Sequence, residues 1–168
     1  MRRLRTSCDS AIWCVAAAAL VGWGGCAPDM AGCATPLGAT ASDEIALGLS
    51  PDELVVRDRI EVHWWPGDSL PRVARHAWEG TIGGLSIVED GDVLYVEDIN
   101  RCAWVRRMDA IPRVDLKGMA PSRVLLESQA EFIMEGPWVG SNLTVEGDEM
   151  SGNLHIQFQG DSLRLRLP

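Results

Sequence analysis

With 168 residues, of which 46% are apolar and 23% charged, the chain has the material for one buried core of ordinary single-domain size. Its formal net charge of −9 repels phosphate backbones, which argues against general nucleic-acid binding. Solubility and self-avoidance are the plain consequences of such a charge.

The chain starts with Arg2, Arg3 and Arg5, followed by an apolar run from Ala11 to Trp23 broken only by Gly22, and then Gly24-Gly25-Cys26. That run of thirteen residues falls short of the roughly 20 needed to cross a bilayer. Residues 1–25 therefore read as an export signal rather than a permanent anchor. The order of basic start, apolar run, small residues and cysteine resembles a bacterial lipoprotein signal. The resemblance implies a diacylglyceryl thioether on Cys26, with enough acyl chain for stable anchoring. With Ala27 rather than aspartate next, it also implies the outer membrane of the cell envelope. Trp23 departs from the pattern, which has a small apolar residue three places before the cysteine. Ordinary cleavage after Ala27 is the alternative and would release a chain starting at Pro28.

Loss of residues 1–25 removes three arginines and Asp9 from the 15 basic and 24 acidic residues, leaving 12 against 23, a net charge of −11. Cys8 and Cys14 leave with the signal. If Cys26 is lipidated, Cys33 and Cys102 remain as an even pair in an oxidising compartment. A bridge closing a loop of about 70 residues would stabilise the fold by roughly 4 kcal/mol. The alternative is a tether Cys33 and a buried Cys102 thiol.

Ala27 to Ser42, rich in Ala, Gly, Thr and Pro, reads as a flexible tether. The lipid-anchor cysteine and tether thus take 26–43, and one β-rich domain takes 44–168. Ser50-Pro51-Asp52-Glu53 has the form of a helix start. Ile60, Val62 and Trp64 alternate with Arg59, Glu61 and His63 as in a half-buried strand, which Trp65-Pro66-Gly67-Asp68 ends with turn chemistry. Leu70, Val73, Ala74, Ala77 and Trp78 recur at helical spacing and predict a helix over 70–79. Leu85–Glu89 and Val93–Glu97 flank Asp90-Gly91 and predict a tight hairpin. Val124–Met134 fits helix and strand periods alike, and the neighbouring hairpins favour strand. Leu143 and Val145 suggest another strand. Leu154–Gln159 and Leu163–Leu167 alternate on either side of Gly160-Asp161-Ser162 and predict a final hairpin. No repeat of fixed period is evident. The fold class is mainly β, a small antiparallel barrel or sandwich with one or two short helices.

Five tryptophans survive export. Trp64 and Trp78 fall on the inward phase of their elements and read as core. Trp65 lies on the outward phase and Trp138 between Pro137 and Gly140, which makes them the candidate exposed contacts. Arg101, Arg106, Arg107, Arg113, Lys117 and Arg123 form a local basic excess suited to oxyanions or an acidic partner. Pairing with the acidic hairpin Glu89-Asp90-Gly91-Asp92 is the plainer reading of that excess. The histidines show no metal-ligand spacing, and no phosphate loop or dinucleotide fingerprint occurs, so no metal, cofactor or nucleic acid is expected. The resulting expectation is a non-enzymatic exported lipoprotein that binds an envelope protein, glycan or lipid. Its alternatives are a small hydrolase or lyase using His76 with a carboxylate such as Glu79, and a carrier of an apolar ligand, which requires an empty interior.

Overall fold

The computed structural model of the chain describes residues 37–48, 50–67, 70–100, 111–148 and 152–168. Its strands form two six-stranded sheets. The first runs, in spatial order, β1 (Thr40–Ala46), β4 (Arg72–Trp78), β7 (Arg113–Met119), β3 (Glu61–Pro66), β9 (Glu131–Met134) and β11 (Leu154–His155). The second runs β12 (Phe158–Arg166), β10 (Trp138–Asp148), β8 (Arg123–Glu127), β2 (Glu53–Arg57), β6 (Val93–Asp98) and β5 (Leu85–Asp90). Among the described residues no helix is long and apolar enough to cross a membrane.

The β-sandwich is the expected class, but its pairing is mixed rather than antiparallel. Only β1–β4, β4–β7 and β5–β6 run antiparallel. The chain steps from the second sheet to the first at β2–β3 and again at β8–β9, so successive steps stack in the same direction. The stacking has a constant offset of 70 residues, with Glu53 beside Arg123 in one sheet and Glu61 beside Glu131 in the other. Each corner turns on a left-handed residue, Asp58 (φ 68°) or Ser128 (φ 64°), followed by a buried one, Ile60 or Ala130. The structure therefore contains a two-coil repeat that shares an apolar pattern and few identities.

The two inner faces fill the interior. Leu54, Val56, Val124, Leu126 and Val145 from the second sheet meet Val62, Trp64, Leu116, Phe132 and Met134 from the first, all fully buried. The Trp64 indole N–H donates to the Met119 carbonyl at 3.1 Å, and its ring lies 5.7 Å from that of Phe132. These side chains occupy the space that an apolar-ligand carrier would need.

Several local expectations change. Residues 72–78 form β4, not a helix, because β1 and β7 pair with both of its edges and tertiary pairing overrides the 3.6-residue pattern. Leu70 then stays 77% exposed. Trp78 moves to the face opposite buried Val73, partly exposed, rather than into the core. The helix start at Ser50 becomes the approach to β2, where the Asp52 carbonyl accepts the N–H groups of Ser122 and Arg123. One turn of 3-10 helix, Ile82–Gly84, is the helix that the described residues contain. The hairpin at Asp90-Gly91 forms as expected, with Gly91 at φ 60°. Residues 123–134 are strand, split in two at Ser128.

The final hairpin does not form. β12 runs straight through Gly160-Asp161-Ser162 and pairs parallel with β10. Gly160 serves close approach rather than a turn: a Cβ there would lie 2.1 Å from the Gly140 carbonyl oxygen. β1 begins at Thr40, inside the stretch that composition assigns to the tether, because its seven residues find partners along β4. The signal region, Cys26, Cys33, Cys102, Trp104, Arg101, Arg106 and Arg107 lie outside the described residues.

Candidate functional site

Strand alternation sorts the first sheet into a buried face and an open one. Val62 and Trp64 of β3, Val114 and Leu116 of β7 and Val73 of β4 point inward. Glu61, His63 and Trp65, then Arg113, Asp115 and Lys117, then Ala74, His76 and Trp78 consequently share the outer face. Register sets Trp65 beside Lys117, His63 beside Asp115, His76 beside Arg113 and Ser42 beside His76.

The Trp65 ring is the apolar centre of this face. It is half-exposed, stacks on the His63 ring at 5.9 Å between centroids, and has the Lys117 Nζ at 5.2 Å and the Arg113 guanidinium at 6.0 Å from its centroid. Both cations fall within reach of the ring's negative face. Lys117 is exposed and makes no ion pair among the described residues. Arg113 donates to Asp115 Oδ1 at 2.6 Å. That hydrogen bond holds the guanidinium pKa above its ordinary value, and the charges of Asp115, Glu61 and Glu135 add to it.

Polar groups extend the face in both directions. His63, 8% exposed, bonds Glu135 through Nδ1 at 2.5 Å and Glu61 through Nε2. On the other side His76 Nδ1 lies 2.8 Å from Ser42 Oγ, and Nε2 lies 3.2 Å from Asp115 Oδ2.

The structure thus brings Trp65 and Arg113, two of the candidate residues, together on one face. Trp138 is not part of it. It opens β10, is 3% exposed, and stacks on Phe158 at 5.3 Å, because β12 covers the segment that proline and glycine made look like a loop. Two described members of the basic excess pair elsewhere than with the hairpin at 89–92: Arg113 with Asp115 two residues along its own strand, and Arg123 across strands with Glu53 and Glu146. His76 does meet a carboxylate, but it is Asp115 rather than Glu79, since β4 is extended. A serine, histidine and aspartate in a hydrogen-bonded row have the composition of an acyl-transfer site. They lie on an open sheet face, however, and the hollow of about 350 Å³ lined by Glu44, Ala46, Leu47, Leu70, Pro71 and Arg72 includes none of the three. The described residues hold no group of three or more His, Cys, Asp or Glu placed to bind a metal. His63 had no candidate role in the sequence, and Lys117 entered only as one member of the basic excess; the alternation that put Trp65 outward placed His63 on the same face and was the available signal.

No protein-family model and no curated protein matches the sequence. Solved structures do match the fold. A candidate adhesin of Parabacteroides merdae aligns with a TM-score of 0.61 at 17% identity, over 77% of this chain and 53% of its own. A candidate adhesin of Parabacteroides distasonis aligns with a TM-score of 0.64 at 15% identity, over the same shares. A candidate lipid-binding protein of P. distasonis aligns with a TM-score of 0.60 at 13% identity, over 77% of this chain and 63% of its own. At these identities the likeness is one of fold, and this chain spans about half the length of the two adhesin candidates.

Proposed function

We propose that the chain is an exported envelope protein, held at the membrane by lipidated Cys26 and a tether ending where β1 begins, whose sandwich binds an acidic glycan on the outer face of the first sheet. The observation that carries this reading is the half-exposed Trp65 ring with Lys117 at 5.2 Å and Arg113 at 6.0 Å. An indole face accepts the apolar face of a sugar ring, and the free ammonium meets a carboxylate, sulfate or phosphate on it. The descriptions of the fold neighbours as candidate adhesins and a candidate lipid-binding protein support a surface-binding role. Hydrolysis by Ser42 and His76 is less well supported, because the row lacks a cleft around it.

The test is a glycan array with neutral, uronate and sulfated members. Retention of acidic glycans is expected, weakened roughly tenfold or more by Trp65→Ala and by Lys117→Ala, as for an anchoring contact. Lys117 is the better cation to remove because Arg113 also supports Asp115. Equal retention by wild type and both variants would exclude this face. For the tether, palmitate labelling in cells is expected for wild type and not for Cys26→Ser; an unlabelled wild type starting at Pro28 would mean a released protein.

A further inference from the structure

The second sheet ends in two rows that stop short. On its outer face Arg123 of β8 reaches Glu53 of β2 at 3.2 Å and Glu146 of β10 at 2.8 Å, and Arg166 of β12 reaches Glu146 at 2.9 Å. Charge alternates across four strands and stops on Arg166, whose side chain is 60% exposed. These contacts hold the Glu146 carboxyl below the usual carboxylate range, the Arg123 hydrogen bond first among them.

The inner face stops in the same place. Leu54, Val124, Val145 and Leu165 are register neighbours across β2, β8, β10 and β12. The first three are fully buried, whereas Leu165 is 49% exposed, flanked by Leu163 at 37% and Leu167 at 47%. Among the described residues β12 has β10 on one side and no strand on the other, so part of its backbone offers open donors and acceptors to a further strand.

We infer that the free edge of β12 accepts a β-strand from a partner protein, one that alternates apolar with acidic side chains. The apolar residues continue the leucine row and the acidic ones supply the carboxylate that follows Arg166 in the charge series. Arg164, exposed and without an ion pair among the described residues, gives the partner a second cation. A second copy of this chain fits worse. Set antiparallel about Leu165, it places Arg164 opposite Arg166, and like charges directly opposed are destabilising. β12 also brings two arginines for one carboxylate, Asp161.

The experiment titrates the full-length protein with an acetylated, amidated peptide of about eight residues alternating valine and glutamate, and with a valine–lysine control, followed by affinity and amide hydrogen exchange. The glutamate peptide is expected to protect β12 and to bind roughly tenfold or more tightly than the control. Arg164→Glu with Arg166→Glu should reverse that preference. Arg164→Glu alone, at a residue outside the charge series, should narrow it even if the double variant does not fold. Methylating alternate peptide nitrogens should abolish binding, since main-chain pairing supplies the affinity in strand addition. Equal binding of the two peptides, unprotected β12 amides, or indifference to methylation would overturn the inference. A concentration-dependent dimer protecting β12 would assign the edge to a second copy instead.

Discussion

Trp64→Ala is expected to cost about 3–5 kcal/mol, the range for truncating a fully buried aromatic ring. The ring is completely buried and packs on Phe132 from the stacked coil, so its loss opens a cavity between the two sheets. It also strands the Met119 carbonyl, which accepts the indole N–H at 3.1 Å. Against a total stability of about 5–15 kcal/mol for an ordinary domain, that loss brings the protein close to unfolding at room temperature. Urea denaturation followed by circular dichroism measures it. Trp64→Phe should fall between the two, since it restores most of the packing and not the hydrogen bond. An Ala variant whose midpoint stays at the wild-type value would mean that the two sheets are not packed through this ring.

His63→Ala is the second large effect, about 2 kcal/mol, the scale of leaving a buried polar contact unsatisfied. The imidazole bridges Glu61 and Glu135. Removing it leaves two carboxylates facing a void with no hydrogen-bonding ring between them, and withdraws the ring on which Trp65 stacks at 5.9 Å. The two carboxylates are about one-third exposed, which keeps the cost below that of a fully buried broken pair. Glu61→Gln with Glu135→Gln, added to His63→Ala, should recover much of the loss because it removes the repulsion. Denaturation midpoints of wild type, His63→Ala and the triple variant decide it. If neutralising the two glutamates recovers nothing, the cost comes from the lost ring packing rather than from charge.

The readable parts of the sequence were those in which local chemistry and tertiary demand agree. The alternation around Val62 and Trp64 specified β3 and its buried face, and Asp90-Gly91 specified the hairpin. At β4 the two conflict. Val73, Ala77 and Trp78 share one face only in a helix, and the pairing of β4 with β1 and β7 overrides that period and turns Trp78 to the face opposite Val73. Gly160 misled for a related reason. Glycine signals a turn and also permits close approach, and the contact with Gly140 that requires the second is invisible in one dimension. The same holds for the candidate site: Trp65 was recognisable from its phase, whereas Lys117 comes beside it only through the parallel register of β3 and β7.

The amino-acid order alone determined a β-rich body and which face of β3 is apolar, because composition and a two-residue period act between near neighbours. The folded chain decided the stacked coils, the parallel pairing, the cluster around Trp65 and the open edge of β12. Each of these depends on which distant strands lie side by side, and the 70-residue offset that aligns Glu53 with Arg123 is set by burial of both apolar faces at once rather than by any local preference.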